Sequence, residues 1–96
     1  MIKYLKDEDF NELVKTGTVL VDFYAEWCGP CKMMGEVLET FENVNIVKVN
    51  TDEHNELALS FGIMSIPTLI LFKDGKEVDK MIGMHDRTEL ENFVNQ

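Results

Sequence analysis

The sequence predicts an α/β fold: a mixed central β-sheet with helices on both faces and the element order β-α-β-α-β-α-β-β-α. Two short runs, Val19 to Ala25 and Ile46 to Val49, are rich in β-branched and aromatic residues and carry apolar side chains on both faces, as strands buried on two sides do. Stretches with apolar residues at helical spacing separate these runs from each other and from the last third of the chain, so the strands connect by crossovers. In that last third, Asp74-Gly75 sits between two strand-like runs as a two-residue hairpin turn, which adds an antiparallel edge to a parallel sheet.

Taken in order, Ile2 to Leu5 reads as a short strand. Phe10, Leu13 and Val14 then share one helical face, with Asp7 as the expected N-cap and Gly17 as the expected stop. After the Val19 to Ala25 strand, a second helix is expected to begin near Cys31, because Met34, Val37, Leu38 and Phe41 form one stripe. The Ile46 to Val49 strand leads to a helix built on Leu57, Ala58 and Phe61, with Asp52 as its expected cap and Gly62 as its end. Thr68 to Phe72 and Glu77 to Ile82 form the hairpin. A closing helix from Arg87 to Val94 is capped by Asp86 and buried through Leu90, Phe93 and Val94.

Composition narrows the function. Ninety-six residues without repeat, linker or low-complexity tract suit one domain, 1–96. A net charge of −9 argues against nucleic acid and anionic membrane surfaces as partners, since like charges repel. No apolar stretch is long enough to cross a bilayer, which takes roughly 18 residues or more. The opening residues turn charged at once and show no secretory h-region, so the expected setting is cytoplasmic.

The two cysteines, Cys28 and Cys31, are separated only by Gly29 and Pro30. Closing so short a loop gains about 2 kcal/mol in the chain-entropy formula and joins no distant parts of the fold, which makes a poor structural staple. A Cys-x-x-Cys between a buried strand and a helix is a redox motif, and in an open α/β sheet this loop falls at the carboxyl end of a strand, where chemistry collects. Cys28 lies at the helix N-terminus, where unpaired N–H groups and the dipole favour a thiolate, so it is the expected nucleophile. Cys31 shares a face with Met34 and Leu38 and is the expected sheltered, resolving partner. Neither Gly29 nor Pro30 carries charge to stabilise the Cys28 thiolate further, which points toward a reductant rather than an oxidant.

Asp22 interrupts a run that is otherwise buried on both faces. Burial raises a carboxyl pKa unless a cation sits beside it. Two readings stand open: a proton acceptor for Cys31, or an acid held at a strand edge or by a lysine for stability. Lys48 interrupts its own strand in the same way, as a counter-charge to Asp22 or, the reading favoured from the residues alone, with its amine reaching out to solvent. Pro67 opens a strand, where proline is tolerated, and its spacing alone carries no information on the peptide isomer. The methionines read mainly as core filler, with Met64 and Met84 in loops as a soft contact surface.

Taken together, Val21-Asp22-Phe23, Ala25 to Met33 around Trp27-Cys28-Gly29-Pro30-Cys31, Gly62-Ile63, Ile66-Pro67-Thr68, Phe72 to Gly75 and Gly83 resemble the thioredoxin family from end to end. The resemblance implies a cis Pro67 against the cysteine pair and an apolar substrate groove bordered by Trp27, Ile66 and Gly83, with Gly29 and Pro30 on the same surface. It also implies a buried Asp22–Lys48 pair in which Asp22 is catalytic, and protein disulfides as substrates. No bound cofactor is implied; the electrons come from a flavoprotein thioredoxin reductase. Tyr24 departs from the family's usual tryptophan and Gly35-Glu36 from its helix-kinking proline, and that helix with its following loop looks about a turn short. These departures bear on helix geometry and on the fit to a reductase and leave the cysteine chemistry in place.

Two rival classes stand beside this reading. In one, the fold is a binding subunit of a larger assembly with incidental cysteines; replacing Cys28 with serine discriminates, because pure binding survives it. In the other the cysteines hold a metal, but His54 and His85 do not supply the second half of a zinc site at finger-like spacing.

Overall fold

The computed structural model describes residues 1–96. In chain order the elements are β1 (Ile2–Tyr4), α1 (Phe10–Val14), β2 (Thr18–Tyr24), α2 (Gly29–Glu39), β3 (Asn45–Asn50), α3 (Asn55–Ser60), β4 (Thr68–Lys73), β5 (Lys76–Ile82) and α4 (Arg87–Val94). They form a five-stranded sheet in the order β1-β3-β2-β4-β5. β3 lies parallel to both β1 and β2, while β4 pairs antiparallel with β2 and β5 with β4. This is the mixed sheet the sequence predicts.

Side-chain alternation along the strands divides the core in two. Val19, Val21, Phe23, Val47, Val49, Ile70 and Phe72 face α1 and α3, where they pack with Phe10, Val14 and Ala58. The opposite face sets Leu20, Ile46, Leu69 and Leu71 against Met34 and Leu38 of α2 and Leu90, Phe93 and Val94 of α4. Burying one such large side chain contributes about 1.5–3 kcal/mol, so both helical layers are held mainly by this packing.

Several boundaries correct the expectations. The N-cap of α1 is Asp9, whose side chain accepts from Asn11 N at 3.0 Å, and not Asp7. Of the acids before Phe10, only the adjacent one reaches the free N–H groups. The helix ends at Val14, short of Gly17, which has φ +73° and opens the link to β2. Asp52 does not cap α3. Asn50 organises that turn instead, its Oδ1 accepting from Asp52 N at 2.9 Å and Glu53 N at 3.4 Å, and α3 begins after His54 with no side-chain cap. α2 starts at Gly29, two residues ahead of the expected position, with Cys28 as its N-cap and Pro30 in its first turn, where a missing N–H costs nothing. The hairpin and the last helix match their expectations: Asp74 and Gly75 both have positive φ, as a type I′ turn requires, and Asp86 with Glu89 forms a capping box on α4.

Candidate active site

The strand register assembles the site. Parallel pairing sets Tyr24, the last residue of β2, beside Asn50, the last of β3, and antiparallel pairing sets Phe23 beside Thr68, the first of β4. The segment leaving β2, which carries the cysteines, therefore meets the segment entering β4, which carries Pro67.

Cys28 and Cys31 are joined by a disulfide, with their Cα atoms 5.2 Å apart. Cys28 Sγ accepts the backbone N–H of Cys31 at 3.2 Å, as the side chain of an N-cap residue does. In this oxidised state both cysteines are buried, so the expected contrast in shelter between them is absent while they are bonded. The Ile66–Pro67 peptide is cis, as the resemblance implied. Ile66 packs against the cysteines together with Tyr24 and Ala25, and its carbonyl lies 4.0 Å from Cys28 Sγ. Pro67 is buried, and its carbonyl accepts from Gly83 N at 2.8 Å, which ties the end of β5 to the site.

Trp27 stands 71% exposed directly before Cys28, its indole Nε1 donating to Asp52 Oδ2 at 3.0 Å. With Leu59, Ile63, Met64 and Ile66 it lines an open cavity of about 250 Å³ beside the cysteines. Gly83 lies outside that lining, in contact with the site through Pro67. Gly29 and Pro30 are exposed at the start of α2. Asn50 and Asp52, which shape this rim, do not stand out as site residues in the sequence. The available signal is an asparagine at a strand end, where its side chain mimics a backbone turn.

Beneath the cysteines, Asp22 and Lys48 are direct partners in the parallel β2–β3 register, so both side chains project toward α2. Lys48 Nζ lies 3.1 Å from Asp22 Oδ2. The reading of Lys48 as a side chain reaching out to solvent is thereby corrected: both residues are buried, and the register points the amine at the carboxylate. Lys48 is the one polar partner beside an otherwise unpartnered carboxylate. Burial pushes the Asp22 carboxyl above the usual range, and the Lys48 charge pulls it only part of the way back. Cys31 and Lys48 open onto one cavity of about 290 Å³.

The comparisons with known proteins agree with this geometry. The thioredoxin family model matches residues 1–96, the whole of the chain. The chain belongs to the thioredoxin family. A thioredoxin of Chlamydia caviae is 53% identical over 100 aligned positions, covering 100% of this chain and 98% of the relative, and one of Listeria monocytogenes is 44% identical with the same coverage of both. Among solved structures, a single-residue mutant of a thioredoxin from Halobacterium salinarum superposes with a TM-score of 0.90 at 33% identity, covering 98% of this chain and 88% of that one. Thioredoxin-family membership, with the cysteine pair at bonding distance, makes the chain a thiol–disulfide oxidoreductase with the role of a protein-disulfide reductase. The thioredoxin family in general acts on disulfide-containing proteins and is recycled by thioredoxin reductase.

Proposed function

We propose that Cys28 attacks the substrate disulfide, Cys31 resolves the adduct and Asp22 takes the Cys31 proton. The observation that carries this reading is the hydrogen bond from Cys31 N–H to Cys28 Sγ at the start of α2. In the reduced protein the same donor and the helix dipole favour a thiolate at Cys28, and only the thiolate is nucleophilic.

The Cys28 thiolate attacks one substrate sulfur; a Cys28–substrate bond forms, the substrate disulfide breaks, and one substrate thiolate leaves. Cys31 gives its proton to the Asp22 carboxylate and attacks Cys28 Sγ. The Cys28–Cys31 bond forms, the mixed disulfide breaks and the second substrate thiolate departs. Two electrons have passed from the cysteine pair to the substrate. A flavoprotein thioredoxin reductase returns them.

In this reading Lys48 is the partner that keeps Asp22 within reach of ionisation, and Pro67 flanks the cysteines. Trp27, Gly29, Pro30, Ile66 and Gly83 receive the substrate chain. Residues 1–96 work as one domain. A reducing dithiol operates where thiols are kept reduced, which favours the cytoplasm.

Insulin-disulfide reduction driven by dithiothreitol tests the assignment. Cys28→Ser and Cys31→Ser both stop turnover, and Cys31→Ser accumulates a covalent adduct through Cys28. Adduct formation through Cys31 in Cys28→Ser instead would reverse the roles.

A further inference from the structure

A row of side chains crosses the sheet below the cysteine pair. In the parallel register Tyr4 of β1 is the partner of Lys48 of β3, and Lys48 is the partner of Asp22 of β2. Tyr24, two residues beyond Asp22, projects from the same face because strand side chains repeat every second residue. Lys48 Nζ accordingly lies 4.6 Å from the Tyr24 ring centroid and 5.9 Å from that of Tyr4, both within cation–π range. The two rings meet edge to face, 6.2 Å between centroids and 80° between planes, so they form two walls of one corner. α2 closes the third side at Gly35, where an added Cβ would stand 3.2 Å from Lys48 Nζ. The fourth side is the Asp22 carboxylate, 3.1 Å away.

The ammonium is walled on these sides and opens toward the cavity it shares with Cys31. The Asp22 carboxylate attracts the ammonium, and the ring faces and Gly35 limit where around the two oxygens it can sit. We propose that Tyr24, aided by Tyr4, is a positioning residue that holds the Lys48 ammonium against Asp22 and so sets the pH at which Asp22 can take a proton from Cys31.

The other charged groups are placed to matter less. Glu26 from the turn after β2, with Lys32, Glu36 and Glu39 of α2, lines the outer cavity, and all four are exposed to screening solvent. On β4 the partner of Asp22 is the uncharged Leu69, and Cys31 faces the cavity from α2. Tyr24 adds no charge of its own, because burial first, then Glu26 and Tyr4, push its hydroxyl up to about 12. The ring face, not the hydroxyl, is therefore what acts on Lys48.

The proposal rests on the Asp22 role only for its catalytic consequence, so the test has two readouts. The first is Asp22 carboxyl titration by NMR in the oxidised protein, where the bonded cysteines do not titrate. Tyr24→Leu moves it upward by roughly half a pH unit or more, and Tyr24→Phe leaves it in place. Tyr4→Leu, at a half-exposed position that tolerates change, gives a smaller shift in the same direction and stands in if Tyr24→Leu does not fold. The second readout is the pH profile of mixed-disulfide resolution in single turnover, which moves in parallel. Equal titrations for Tyr24→Leu, Tyr4→Leu and wild type overturn the proposal, even if melting temperatures fall. If Asp22 titration shifts while the resolution profile stays, the clamp stands and the proton-acceptor role of Asp22 fails.

Discussion

Trp27 and Asp52 bind each other across the mouth of the site, the indole Nε1 donating to Oδ2 at 3.0 Å. The bond joins the residue before Cys28 to the turn that Asn50 organises ahead of α3, and it stops a largely exposed indole from sampling other rotamers over the cavity it lines.

Asp52→Ala should therefore weaken substrate capture more than the fold. The bond is exposed, and its loss costs about 0.5–1.5 kcal/mol at most. We expect KM for insulin reduction to rise about two- to tenfold with kcat nearly unchanged. Steady-state kinetics with a melting curve checks this; a fall in kcat at constant KM would show that Trp27 is not held for binding.

His85 sits between two acceptors, with Nδ1 3.2 Å from Glu89 Oε2 and Nε2 3.0 Å from the carbonyl of Ile82. A neutral ring has one N–H to give, so only imidazolium satisfies both. Glu89 first, then the Ile82 carbonyl, raises the His85 pKa above its ordinary value. A histidine raised in the folded state contributes stability that is complete below its unfolded pKa, near 6.5, and is lost as pH rises through the folded one. Ile82 directly precedes Gly83, whose N–H donates to the Pro67 carbonyl, so this bridge lies next to the site. Imidazole NMR should place the His85 titration above 6.5, with Glu89→Gln lowering it; a wild-type value below 6.5 would refute the bridge.

How much of this is readable from the chain varies by position, for physical reasons. α4 is legible to the residue because its signal is local: Asp86 and Glu89 cap each other and Leu90, Phe93 and Val94 keep helical spacing. Asp74-Gly75 is equally clear, since few residues other than these tolerate positive φ in succession. The expected caps at Asp7 and Asp52 are misplaced because several acids or turn formers stand within reach of each helix start, and sequence does not say which one meets the free N–H groups. The direction of Lys48 escapes a reading of the chain because it depends on register: nothing in either strand alone sets position 48 opposite position 22. The cysteine motif, by contrast, carries its own geometry, a strand end followed by a helix start within a few residues.

The buried pair gives the sharpest stability test. An acid whose pKa is raised on folding binds protons more readily folded than unfolded, so its effect on stability is most favourable below the unfolded pKa, near 3.9, and declines as pH climbs through the folded value. At neutral pH Asp22 is thus a liability that the fold carries. Asn at this position keeps the shape and removes the charge, while Lys48, freed from the pair, has the adjoining cavity through which to reach water. Asp22→Asn should unfold at higher temperature than wild type at pH 8, and the gap should close as pH falls toward 4. A gain of 1 kcal/mol corresponds to about 4–8 °C for a domain of this size. The same variant should resolve mixed disulfides roughly tenfold to a hundredfold more slowly at pH 7, with the rate recovering as pH rises and Cys31 ionises without help. Calorimetry across pH with single-turnover kinetics decides both halves: a variant less stable than wild type at pH 8 would mean that Lys48 more than offsets the burial of the carboxylate, against the direction inferred for its pKa.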